Sequence, residues 1–91
     1  MTFVILYHPS VVKKDIPKLS KTARLKIKAG IEKKLVGQPE IYGKPLRKSL
    51  KGYRKLRVGD YRVIFRIENS AVYIIIIAHR REVYERAVRR V

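Results

Sequence analysis

The chain has 91 residues, 46% of them hydrophobic, which is enough for one small folded domain over 1–91 and too much for a disordered tail. It has no Cys, which excludes disulfides, thiol nucleophiles and thiolate metal sites and fits a reducing compartment. Its 23 Lys and Arg against 7 Asp and Glu give a net charge of +16, a self-repulsion that a polyanionic partner, nucleic acid or an acidic protein, would relieve.

The opening "MTFVILYHP" carries no basic segment and only a short apolar run, so no signal peptide is expected. No apolar stretch is long enough for a transmembrane helix, and a cytoplasmic protein without a membrane role is expected. "TFVILY", residues 2–7, predicts a first strand. "HPS" breaks it, and Ser10 is the expected N-cap of a short helix over 11–16 that Pro17 ends. Ser20 is the expected N-cap of a longer helix over 21–36. There Ala23, Ile27, Ile31 and Leu35 recur every four residues and form an apolar stripe to lay on a sheet. Gly37 and Pro39 supply its stop.

Residues 37–52 read as a basic connection with two Pro and three Gly. Three antiparallel strands follow, over 53–58, 61–68 and 71–79, with Gly59-Asp60 as a tight turn and Asn69-Ser70 as a weaker one. "VYIIIIA", residues 72–78, has the composition of a buried strand. The tail "REVYERAVRRV" places Val83, Ala87 and Val91 at four-residue spacing, consistent with a short C-terminal helix. The order β-α-α-β-β-β-α predicts an α+β, two-layer fold: a mostly antiparallel four-stranded sheet covered on one face by the two N-terminal helices.

The hairpin "YRKLRVGDYRVIF" is unusual in carrying Arg54, Lys55, Arg57 and Arg62 in its strands. If Gly59-Asp60 is the whole loop, Val58 faces Tyr61, Leu56 faces Val63 and Arg54 faces Phe65, which makes one side apolar apart from Arg54. The other side pairs Arg57 with Arg62, Lys55 with Ile64 and Tyr53 with Arg66. Like charges directly opposite one another cost up to about 1 kcal/mol in a sheet. An anion bound between Arg57 and Arg62 would offset that cost, as would splaying of both guanidinium groups into water. Straight alternation from the Asn69-Ser70 turn sends His79 and Arg81, rather than Arg80, to this basic side.

"LKGYRKLRVGDYRVIF" followed by "IIIIAHRREVYERA" resembles the RelE/ParE superfamily of bacterial and archaeal toxins, and its RelE branch in particular. The likeness runs through the element order, the "LRVGDYRV" hairpin and the "HRREVY" ending. It implies a toxin of a type II toxin–antitoxin system that acts as a ribosome-dependent mRNA endonuclease. The implied reaction is metal-independent attack of a 2′-OH on the adjacent phosphate in the ribosomal A site, with no cofactor. By position, the resemblance implies catalytic roles for Lys55, Arg62, Arg80 and Tyr84, and His79, beside a cluster of Arg, is a further candidate from its own chemistry. Arg62 and Arg80 would stabilise the phosphate, Tyr84 would serve as base or stacking platform, and Lys55 or His79 would take the proton. Arg57, Lys51, Arg66, Arg81 and Lys48 would bind the RNA. Some members carry two Lys, spaced i, i+2, on the first hairpin strand, and here the first of them is replaced by Tyr53.

Two other functions fit the same residues. One is a ParE-like poison of DNA gyrase, and the other is a basic RNA-binding module without catalysis. The resemblance further implies a cognate antitoxin with acidic residues for the basic surface, and contact with operator DNA only through that antitoxin.

Overall fold

The computed structural model describes residues 2–91. Strand β1 (Val4–Tyr7) leads into a π-helical turn (Val11–Asp15) and a 3-10 turn (Ile16–Lys18). Helix α1 (Lys21–Gly30) continues as a π-helical turn (Ile31–Leu35) and is followed by the short α2 (Pro39–Tyr42). Then come β2 (Lys44–Pro45), a 3-10 turn (Lys48–Leu50), β3 (Arg54–Val58), β4 (Tyr61–Glu68), β5 (Ala71–His79) and helix α3 (Val83–Arg90). The sheet order is β1-β5-β4-β3-β2, with β1 parallel to β5 and the other pairs antiparallel.

The α+β fold is as the sequence predicts, with one strand more than the four expected. The addition is β2, where Lys44 pairs with Lys55 and Pro45 with Arg54. Arg54 explains it: its guanidinium donates to the carbonyls of Gly43 at 2.8 Å and Glu40 at 3.2 Å, and so holds the chain after α2 against β3. Pro45 lacks an N–H and suits a sheet edge. Capping also differs at one helix. Ser20 Oγ accepts from the Ala23 N–H at 3.1 Å, as predicted, but Ser10 is helical and its side chain caps nothing. His8 Nδ1 instead accepts from the Ser10 N–H at 3.0 Å, because the helical turn already starts at Pro9.

Two apolar clusters lie on opposite faces of the sheet. Ala23, Ile27, Ile31 and Leu35 all point inward from α1 and its continuation onto Leu56, Val63, Phe65, Val72, Ile74 and Ile77. On the other face Val83 and Ala87 of α3 cover Leu50, Ile64, Ile75, Ile76 and Ala78. Strand β5 is thus buried on both sides, which is why its sequence is almost continuously apolar.

The packing leaves no room at Gly43. A Cβ there would stand 2.3 Å from Phe65 Cζ and 2.7 Å from the Pro39 carbonyl oxygen. Phe65 is fully buried and cannot swing away. Gly43→Ala is expected to destabilise the protein by about 1–3 kcal/mol through overpacking, read by urea denaturation.

A β-bulge in β5 determines what reaches the basic face. Ile64 pairs with Ile76, yet the next residue, Phe65, pairs with Ile74, leaving Ile75 as the extra residue. Ile75 and Ile76 consequently both belong to the α3-side cluster, and the phase of the strand inverts beyond them. Ile77 and His79 turn to the α1 side, and Ala78 to the α3 side. The straight alternation expected from the Asn69-Ser70 turn does not survive this insertion.

Candidate active site on the basic face

The Gly59-Asp60 turn sets the hairpin register as predicted: Val58 with Tyr61, Arg57 with Arg62, Leu56 with Val63, Lys55 with Ile64, and Arg54 with Phe65. Gly59 has φ +58°, a conformation that glycine adopts without strain. Lys55 and Arg57 therefore stand about 7 Å apart along one face of β3, with Arg62 across from Arg57.

Helix α3 closes over this face from β5. Tyr84, on its first turn, accepts a hydrogen bond from Lys55 Nζ at 3.1 Å, and the ammonium lies 5.4 Å from the ring centroid. The contact joins residues 29 positions apart and unites the hairpin with the C-terminal helix. The opposition of Arg57 and Arg62 is relieved locally, because Arg62 Nη1 donates to the carbonyls of Gly59 at 3.0 Å and Tyr61 at 2.9 Å. Arg80 arrives at the same turn: its backbone N–H donates to the Asp60 carbonyl at 2.8 Å, and its Nε lies 3.8 Å from Asp60 Oδ1. That ion pair is exposed and worth little by itself. Its consequence is positional, since Arg62 and Arg80 gather at one tip of the hairpin.

Of the ten predicted site residues, Lys55 is joined to Tyr84, Arg57 stands opposite Arg62, and Arg80 reaches the Asp60 turn. Lys48, on the 3-10 turn that lies against α3, and Lys51, just after it, are exposed. Arg81 is exposed just beyond the strand, its N–H bonded to His79 Nδ1. Two residues are placed elsewhere. His79 is opposite Tyr61 and edge-on to its ring at 5.9 Å, on the α1 side of the sheet, because of the bulge. Arg66 shares the basic face but sits about 14 Å along β4 from Arg62. It stacks over Tyr73 at 4.6 Å and binds Glu68 at 3.1 Å. Tyr53, first, and Glu68 hold its guanidinium above the ordinary arginine value. Tyr53 itself packs against the α3-side cluster. Tyr53 is thus a packing residue, and β3 keeps one lysine, Lys55, on this face.

One polar residue that matters escapes the sequence reading. Asp15 is fully buried, and its carboxylate accepts from Arg90 Nη1 at 2.6 Å, Arg90 Nη2 at 3.1 Å, Arg86 Nη2 at 3.2 Å and the Ile77 N–H at 3.0 Å. The signal was available: Asp15 stands four residues after Val11, at an inward position of an otherwise basic helical segment.

Comparison with known proteins places the chain in a family. Two toxins of Mycobacterium tuberculosis are similar over part of their length. Toxin RelG is 41% identical over 51 residues, which is 54% of this chain and 59% of that protein. Toxin RelE is 44% identical over 52 residues, 55% of this chain and 54% of that protein. The match spans little more than half the length of these curated relatives. The crystal structure of the toxin–antitoxin complex RelBE2 from the same organism is similar with a TM-score of 0.77 at 26% identity, covering 87% of this chain and 99% of that one. The family model for the ParE toxin of type II toxin–antitoxin systems, parDE, matches residues 5–84, most of the chain including the hairpin, both arginines at its tip and Tyr84. The chain belongs to that ParE toxin family.

Proposed function

We propose that this protein is a RelE-type toxin: an endoribonuclease that cuts mRNA in the ribosomal A site and is neutralised by a cognate antitoxin. The observation that carries the reading is the Lys55–Tyr84 hydrogen bond, set beside Arg57 and the Arg62–Arg80 tip. Strand cleavage by 2′-OH attack forms an O2′–P bond and breaks the P–O5′ bond. It needs a proton removed from the 2′-OH, a proton delivered to the 5′ oxygen, and charge stabilisation on the pentavalent phosphorus between them. The Lys55–Tyr84 pair handles the protons. Arg62 and Arg80 meet the phosphate oxygens, and Arg57 with Lys48, Lys51 and Arg81 holds the flanking backbone. Side chains of this last kind act on affinity and salt dependence more than on sequence choice.

The net charge of +16 supports an acidic antitoxin as partner, and the similar Mycobacterium tuberculosis toxin was crystallised as a toxin–antitoxin complex. Contact with operator DNA runs through that antitoxin. No helix of the described residues is long and apolar enough to cross a membrane. Action on translating ribosomes is our reason for placing the protein in the cytoplasm.

The family model is that of the ParE toxin, and a ParE-like gyrase poison is the second reading. A gyrase poison has no use for a lysine–tyrosine pair beside converging arginines. Adding the protein to translating and non-translating extracts, and in parallel to a gyrase supercoiling assay, separates the two. We expect new 5′ ends within codons of translated messages only, with supercoiling intact. Intact messages together with lost supercoiling would overturn the reading in favour of gyrase.

A further inference from the structure

Where β1 stops, β5 continues. Tyr7, the last residue of β1, is opposite Ile74, so among the described residues the β5 edge from Ile75 onward has no neighbouring strand on that side. The buried polar cluster fills the gap: Asp15 accepts from the Ile77 N–H, and Arg90 Nη1 donates to the Ile75 carbonyl at 2.9 Å. Arg90 and Arg86 belong to α3, the helix that carries Tyr84. Three elements therefore meet at one carboxylate: the Val11–Asp15 turn, the bulged part of β5, and α3.

We infer that Asp15 is a positioning residue for the candidate site, setting the seat of α3 and through it the Lys55–Tyr84 pair. The inference rests on the reading of that pair as catalytic. The apolar contacts of α3 come from Val83 and Ala87 and from the half-buried Tyr84 itself; the two small side chains cover the sheet without fixing the roll of the helix. Arg86 and Arg90 lie about 120–160° round the helix from Tyr84, so bonds on their flank determine where the opposite flank points. Rolling a helix by about 20° moves a side-chain tip by about 2 Å. That would break the 3.1 Å bond from Lys55. A displacement of about 1 Å at reacting groups can cost on the order of 100-fold in rate. Arg90 is bound through both terminal nitrogens, which fixes direction as well as distance.

The test is Asp15→Asn, which keeps the shape of the side chain and an acceptor for the Ile77 N–H, in wild-type and Tyr84→Phe backgrounds. In the first background we expect kcat for cleavage on programmed ribosomes to fall about 10- to 100-fold, with KM within about twofold. In the second the same change should cost less than about twofold, since the group it positions is gone. Independently of activity, the NMR cross-peaks between the Lys55 side chain and the Tyr84 ring should weaken in Asp15→Asn. Unchanged cross-peaks in folded Asp15→Asn, or an equal loss of rate in both backgrounds, would overturn the inference. Should the wild-type protein cut no message, the proposed function falls and the cross-peaks alone decide the positioning role. Should Asp15→Asn fail to fold, Arg86→Gln, which leaves both Arg90 bonds in place, carries the same test with a smaller expected loss. Unchanged rate and cross-peaks in that variant would contradict the inference.

Discussion

Arg62→Ala is expected to lower mRNA cleavage about 100- to 1,000-fold, the effect of removing one well-placed charge-stabilising donor from a transition state. The expectation is specific to function. The Arg62 side chain bonds only turn carbonyls, of Gly59 and Tyr61, and it stands directly across from Arg57. Its removal leaves no buried group unpaired and deletes a like-charge opposition, so folding stability should change by less than about 0.5 kcal/mol. Mapped 5′ ends with timed quenching measure the first quantity, and urea denaturation the second. Two controls sharpen the result. Arg66→Ala and His79→Ala should cleave within about threefold of wild type, because the first is committed to Tyr73 and Glu68 and the second faces Tyr61 on the other side of the sheet. If His79→Ala were as impaired as Arg62→Ala, the placement of the site on the α3 face would be wrong.

The largest expected effect on stability lies away from that face. Asp15→Ala should cost about 3–5 kcal/mol, the usual consequence of deleting one partner from a buried ion pair. The Asp15 side chain is wholly inaccessible, while those of Arg90 and Arg86 are 12% and 25% exposed. Without the carboxylate, Arg90 would keep its charge with one remaining bond, to the Ile75 carbonyl, and the Ile77 N–H would have no acceptor. Folded domains have about 5–15 kcal/mol in total, so this variant should show a strongly lowered urea midpoint. The exposed pair Glu85–Arg89 on the same helix provides the contrast: Glu85→Ala should cost no more than about 0.5 kcal/mol. Equal, small losses from both would mean that the two arginines relax freely into water and that the cluster does not secure α3.

The parts of the fold that follow local rules were readable from residues alone. A two-residue turn leaves a hairpin one register, and Leu56, Val58, Val63 and Phe65 then sort themselves from Lys55, Arg57 and Arg62. A four-residue apolar repeat gives α1 one inward face, and Ala23, Ile27, Ile31 and Leu35 occupy it. The β5 bulge was not readable, because in a run of isoleucines buried on both faces no residue is out of place after a shift of one. That shift turned His79 off the basic face, the largest change to the candidate site. Sequence spacing marks Asp15 as inward-facing but could not reveal what it binds. Its partners Arg86 and Arg90 are 71 and 75 positions away, in a tail where several arginines look alike. The two hairpin residues without a clear role in the sequence, Tyr53 and Arg54, are both structural: one packs under the basic face, and the other binds the carbonyls of Glu40 and Gly43.

The proposed site for cleavage through the 2′-OH consists of Lys55, Tyr84, Arg62 and Arg80. The most direct measurement uses ribosomes programmed with a message whose mapped cut nucleotide carries hydrogen in place of its 2′-OH. We predict that cleavage at that bond disappears, while the unmodified message is cut to a 2′,3′-cyclic or 3′-phosphate and a free 5′-OH. Continued cleavage of the modified message at the same bond would contradict the account.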